Sequence, residues 1–175
     1  MLESTATIGR PAQAPTREEF RAMMGGFPTG VAIITTTDQA GRPWGMTCSS
    51  VCSVTLEPPT LLVCLRDESP TLAALQSRGQ FAVNLLHDGG QPIAELFASG
   101  RPDRYDYVRW RLRADDAGPH LYDDAHAIAD CRIRSLLPVG DHMVVFGEAY
   151  RVTRQPDLQP LLYGLRQYAS WPKLI

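Results

Sequence analysis

Residues 47–53 read Thr47-Cys48-Ser49-Ser50-Val51-Cys52-Ser53. β-Formers alternate there with small hydroxyl and thiol side chains, where an ordinary strand carries Val, Ile or Leu. A strand of this kind brings backbone amides and hydroxyls up to a flat, hydrogen-bond-rich ligand with nothing bulky in between. A small-residue strand packed beneath a helix has the same composition, so the run alone does not decide. Ser69-Pro70-Thr71 is a helix start, with Ser69 as cap and Pro70 in the first helical position. Its free N–H groups and dipole favour an anion, and the two hydroxyls can add hydrogen bonds to a phosphate. An ordinary N-cap reads the same way. Arg101 and Arg104 are cations near a loop–helix junction that could grip the same phosphate. Gly140-Asp141-His142 falls at the turn of a long hairpin, either as turn geometry followed by a strand-initial histidine or as a means of presenting His142 to a ligand.

The first three elements converge on a flavin nucleotide: the strand suits the donors and acceptors of an isoalloxazine ring, the helix start and arginines its phosphate. Other nucleotide motifs fail. Gly25 and Gly30 have the glycine spacing of a P-loop, but Val31 stands where that loop needs Lys. No GxGxxG opens a helix after a strand, and there is no GxSxG elbow or HExxH helix. Cys48, Cys52, Cys64 and Cys131 form no CxxC pair and sit in apolar, strand-like surroundings, so buried reduced thiols are expected. The four histidines are scattered without metal-site spacing, and no metal is expected.

These residues need a scaffold. The chain has 175 residues, 44% apolar and 21% charged, which suits one globular domain. A net charge of −2 gives no footprint for nucleic acid, and no apolar run approaches a membrane span. Residues 1–15, small and polar without a signal-peptide core, read as a disordered leader before a domain over 16–175; the expected location is the cytoplasm. Thr16 and Glu19 form a capping box, and Phe20, Met23, Met24 and Phe27 share one face of a helix over 16–25. Strands are expected over 31–37, 44–54, 60–65 and 81–86, with helices from Ser69 to Gly79 and over 92–98. A charged, arginine-rich loop then runs to about Arg109. A long hairpin joins 125–137 to 142–153, and the aromatic tail 161–171 should pack. Strands outnumber helices and run in hairpins, which predicts a mainly β antiparallel barrel with short peripheral helices.

Phe27-Pro28-Thr29-Gly30-Val31-Ala32, Thr47 to Val54, Glu57-Pro58-Pro59, the Phe81 to Leu86 strand, Gly140-Asp141-His142 and Leu162-Tyr163 occur in an order that resembles the short-chain flavin reductases, the small components of two-component flavin-dependent monooxygenases. The resemblance spans about residues 18–170. It implies an FMN-binding-like split β-barrel, usually a homodimer, and an NAD(P)H-dependent flavin reductase of EC 1.5.1 type. Hydride would pass from NADH, less readily NADPH, to FAD or FMN, and reduced flavin would reach a separate monooxygenase by diffusion. By motif, Thr47, Cys48, Ser49, Ser50, Val51 and Cys52 would line the isoalloxazine and ribityl chain. Ser69 and Thr71 would meet the phosphate, with Arg101 or Arg104; Asp103-Arg104-Tyr105 matches the end of a family segment reading Lys-Asp-Arg-Phe, with Pro102 and Tyr105 departing from it. Gly140, Asp141 and His142 would present the imidazole to the nicotinamide, and Tyr168 would flank the site. Such chemistry needs positioning and no protein acid or nucleophile. A flavin-binding split barrel that is not a reductase (a pyridoxamine-phosphate-oxidase relative or a flavin store) is the alternative, and a dimeric ligand-sensing domain a more distant one.

Overall fold

A computed structural model describes residues 14–171; the leader expected over 1–15 lies outside the described residues but for its last two positions. Helix α1 (Arg17–Gly25) starts at the expected reciprocal cap: the Thr16 hydroxyl accepts from the Glu19 N–H at 3.2 Å, and the Glu19 carboxylate accepts from the Thr16 N–H at 2.8 Å. Its apolar face is not covered. Phe20, Met23, Met24 and Phe27 are 45–63% exposed, and no residue of the helix is buried. The periodicity that predicts a packed face is real, but it does not say which surface covers that face.

Two short strands and their connections follow, β1 (Thr29–Gly30) and β2 (Ala32–Thr37). All of β2 is buried because both its faces are covered, so Ala-Ile-Ile-Thr-Thr-Thr need not alternate. Its threonines are satisfied locally: Thr35 donates to Pro119 O at 2.6 Å and Thr36 to Gln80 O at 2.8 Å. The single strand expected over 44–54 is two, β3 (Pro43–Cys48) and β4 (Val51–Leu56), broken at Ser49-Ser50. Beyond them lie β5 (Pro59–Arg66), α2 (Pro70–Arg78), β6 (Gln80–Leu86), α3 (Gln91–Ala98) and one 3-10 turn at Arg104–Tyr107. The chain closes with β7 (Ala125–Val139), β8 (His142–Arg154), β9 (Leu161–Gly164) and β10 (Gln167–Ser170). The β7–β8 turn is tighter than expected: only Gly140 and Asp141 separate the strands, and Gly140 takes a φ of 59°, open to glycine at little cost.

Seven antiparallel strands form one sheet in the order β3-β2-β6-β7-β8-β5-β4, and β1, β9 and β10 form a small second one. The large sheet curls until its two edges meet. The Cys64 N–H of β5 donates to Ser50 O at 3.3 Å, and the Cys48 thiol of β3 lies 3.8 Å from Cys64 O. The break at Ser49-Ser50 is therefore the corner where the chain leaves one edge for the other, and two small residues turn it without Gly or Pro. Ile34, Leu65, Leu72, Leu75, Phe81 and Val145 fill the barrel, with α2 against one end. A second core of Ile33, Leu86, Phe97, Tyr105 and Leu121 joins the barrel wall to α3 and the segment behind it. Asn84 clamps that segment. Its amide donates to Ile33 O (3.1 Å) and Thr35 Oγ1 (3.0 Å), and its carbonyl accepts from the Leu121 N–H (2.9 Å). The mainly β split-barrel architecture is thus as expected. No helix among the described residues is long and apolar enough to cross a membrane.

Candidate functional site

The corner at Ser49-Ser50 divides two clefts. On one side, a cleft of about 620 Å³ gathers Thr47, Cys48, Ser49 and Ser50 from the β3 edge. Ser69 and Thr71 at the start of α2, Arg104 from the 3-10 turn and His142 at the head of β8 face the same space. On the other side, Ser49, Ser50, Val51 and Cys52 line a cleft of about 450 Å³ with Phe27, Thr29 and Tyr163. Residues 47–52 are thus a continuous polar wall running from one cleft into the next.

Ser69 is the N-cap of α2, yet its hydroxyl makes no capping bond and lies 3.4 Å from Met46 Sδ. Pro70 has no N–H, and the first intrahelical bond is Ala73 to Ser69 O at 3.2 Å. The N–H groups of Thr71 and Leu72 therefore precede the helical ladder, at the positive end of the helix. Thr71 is buried in the cleft wall. Arg104 is also buried: its Nε donates to Gly45 O at 3.0 Å and its Nη1 to Arg101 O at 2.5 Å, which leaves Nη2 unpaired among the described residues. A guanidinium anchored by backbone carbonyls and open on one side suits a phosphate. Gly45 must be bare for this packing, since a Cβ there would stand 2.6 Å from the Tyr105 hydroxyl and 3.0 Å from the Phe97 ring.

His142 Nδ1 lies 2.7 Å from Asp141 Oδ1, and no partner of Nε2 occurs among the described residues. The imidazole beside Asp141 holds its carboxyl below the usual range. Thr47 donates its hydroxyl to Ala94 O of α3 at 2.6 Å, so it offers a ligand only lone pairs and backbone. Burial pushes the Cys48 thiol up to about 11, which keeps it neutral and inert. Of the four thiols expected to be buried, Cys48 and Cys131 are, Cys64 is half-buried, and Cys52 is exposed because β4 is a sheet edge with little over it.

Five expected site residues lie outside both clefts. Arg101 pairs with Asp103 on the surface, Nη2 to Oδ2 at 2.7 Å, and stacks over Tyr107. Tyr105 is buried, its hydroxyl donating to Trp44 O at 2.8 Å and its ring meeting Phe97 edge-on at 5.1 Å, so it fastens the 3-10 turn to β3. Gly140 and exposed Asp141 shape the turn behind His142. Tyr168 stands 5.0 Å behind Tyr163, which does line a cleft. Arg66, missed in the sequence, pairs in register with His142 across β5–β8 and faces the first cleft. Only its place at the end of an apolar strand, three residues before a helix cap, hinted at it.

Asp116, His120 and Asp130 form a buried group whose ligand atoms lie within 4.8 Å of one another. It is an ion network. Asp130 accepts from His120 Nε2 at 2.8 Å, from the Ala117 N–H at 2.8 Å and from Arg151 Nε at 2.8 Å. Asp116 accepts from Arg151 and from the Arg113 N–H. Arg151 supplies the positive charge that balances the two buried carboxylates.

Residues 24–172 match the family described as flavin reductase like domain. The chain is 50% identical over 167 residues to the flavin reductase (NADPH) of Lentzea aerocolonigenes, covering 95% of this chain and 97% of that protein. It is 34% identical over 170 residues to HsaB, the reductase subunit of a flavin-dependent monooxygenase of Rhodococcus jostii (strain RHA1), covering 97% and 86%. Among solved structures, the NADH:FAD oxidoreductase SgcE6 of Streptomyces globisporus, in complex with NAD and FAD fragments, superposes with a TM-score of 0.84 at 31% identity, covering 93% of this chain and 98% of that one.

Proposed function

The chain belongs to the flavin reductase-like family, and on that premise we propose that it is an NAD(P)H:flavin oxidoreductase that reduces FAD or FMN and supplies a separate flavin-dependent monooxygenase. One observation supports this most: an anion-binding helix start, a backbone-anchored arginine and a strand-initial histidine face one cleft along a polar wall. The residues fit a flavin nucleotide. Ser69, Thr71, the first N–H groups of α2 and Arg104 hold its phosphate, and the wall from Ser49 to Cys52 holds the ring. When bound, the flavin supplies an acceptor for hydride at N5, so the chain provides no acid, base or nucleophile. Its own work is orientation. The outward-facing backbone N–H of Val51 stabilises negative charge at the ring edge, and His142, steadied by Asp141, binds the nicotinamide carboxamide.

The same reading makes the protein a homodimer. Leu56, Leu136, Leu137, Val139 and Val152 are exposed on β4, β7 and β8, and an apolar groove of about 380 Å³ adjoins Val51. Four free thiols and a need for reduced nicotinamide support a cytoplasmic location for this reading, and the reaction would be of EC 1.5.1 type. Oxidation of NADPH and NADH by the purified protein, with and without FAD or FMN, tests the proposal. Turnover that requires flavin is expected. Flavin binding without turnover would move the protein to the non-reductase split barrels, and no flavin binding would remove the reading altogether.

A further inference from the structure

A third cleft, of about 1110 Å³, adjoins the one beside Cys52 and shares Met24, Gly25, Tyr163 and Arg166 with it. It runs between α1 and the β9–β10 hairpin, whose tip is tied to the helix by the Leu165 N–H donating to Gly25 O at 2.7 Å. Three guanidiniums line it, from Arg17, Arg21 and Arg166, against one carboxylate, Glu18. None of the three arginines pairs with a carboxylate among the described residues, whereas Arg42, Arg101, Arg134 and Arg151 all do.

This arrangement costs stability. Arg17 and Arg21 are like charges one helical turn apart, and Arg17 stands at the positive end of the α1 dipole. Arg166 is held at φ 61° and its neighbour Leu165 at φ 50°, in a region that non-glycine residues enter at a cost. Unpaired like charges on both walls, one of them on a strained turn, are what an anionic ligand would offset. Phe20 and Tyr163 add aromatic faces on the same walls for a heterocycle.

We infer that this cleft takes the adenosine half of the nicotinamide dinucleotide, with Arg17, Arg21 and Arg166 binding the 2′-phosphate, so that NADPH is the preferred donor. The inference rests on the reductase reading for its nicotinamide end, which reaches the flavin wall through the shared residues, but the arginine cleft can be tested apart from turnover. Arginine–phosphate contacts of this kind are worth roughly tenfold each in binding.

The test has two arms. Binding of 2′,5′-ADP and 5′-AMP is measured by calorimetry on the full chain, and kcat/KM is measured for NADPH and NADH with saturating flavin. Both are repeated with Arg17→Ala/Arg21→Ala and with Arg166→Asn, a residue that tolerates the left-handed turn. The parent should bind 2′,5′-ADP about a hundredfold or more tighter than 5′-AMP; Arg166→Asn should lower both that ratio and the NADPH-to-NADH ratio of kcat/KM by about tenfold, and Arg17→Ala/Arg21→Ala by up to about a hundredfold. Equal affinity for the two nucleotides, or unchanged ratios in both variants, overturns the inference. If the parent discriminates 2′,5′-ADP yet reduces no flavin with either donor, the arginine site stands and the reductase reading falls.

Discussion

Removing the two hydroxyls at the start of α2 should separate flavins by their phosphate. The double variant Ser69→Ala/Thr71→Val deletes both oxygens and keeps the volume of buried Thr71. The Ser69 hydroxyl makes no capping bond, so its loss does not carry the usual penalty of about 1 kcal/mol for an N-cap serine. Hydrogen bonds to a charged group contribute about 1.5–3 kcal/mol each. Taking the lower value, because the Thr71 and Leu72 N–H groups and Arg104 still hold the anion, FMN affinity should fall roughly tenfold per hydroxyl, about a hundredfold together. Riboflavin, which lacks the phosphate, should bind the variant and the parent within about twofold, a difference too small to represent a lost hydrogen bond. Quenching of flavin fluorescence gives both dissociation constants on one preparation. Equal losses for FMN and riboflavin, or none for FMN, would refute a phosphate at this helix start.

His142→Ala should raise the KM for the nicotinamide donor by about tenfold while the flavin dissociation constant stays near the parent value; unchanged donor kinetics would return His142 to a simple turn residue. Burial pushes the Asp130 carboxyl up, but His120, the Ala117 N–H and Arg151 outweigh it and hold the group below its ordinary range. A depressed folded value gives stability that is present above the unfolded value of about 3.9 and is lost as pH falls through the folded one. Asp130→Asn should therefore cost about 3–5 kcal/mol at neutral pH and flatten the fall in Tm below about pH 4; parallel acid profiles for variant and parent would contradict this. A Cβ on Gly147 would stand 2.5 Å from Phe81 Cζ and 3.1 Å from Cys131 Cβ, so Gly147→Ala should lower stability by about 1–3 kcal/mol in denaturant melts. An unchanged midpoint would mean that the Phe81 ring is not fixed in the barrel.

Much of the barrel was legible because its signals are local. Thr16 and Glu19 close a capping box, Pro70 and Gly79 bracket α2, and Gly140 turns the last hairpin where the sequence places it. Long-range features left weaker traces. The break at Ser49-Ser50 carries no Gly or Pro, since it arises from β3 pairing with β2 while β4 pairs with β5. Pattern also marks the apolar face of α1 without naming what covers it. Among site residues, motif and position separated well: Ser69, Thr71, Arg104 and His142 come together. Arg101 precedes the 3-10 turn and is held at the surface by Asp103, while Tyr105, next to Arg104 within the turn, points into the core because successive side chains of so short a turn take different directions. The arginine cleft had no sequence signature, as Arg17 and Arg21 lie far in sequence from Arg166 and are brought near it where the Leu165–Gly25 hydrogen bond joins hairpin to helix.

A crystal structure of the protein with FMN bound tests the central claim most directly. The phosphate is expected among Ser69, Thr71, the first N–H groups of α2 and Arg104, with the isoalloxazine along Ser49 to Cys52 and His142 beside it. FMN seated elsewhere, or in the same cleft with its phosphate turned away from α2, would contradict it.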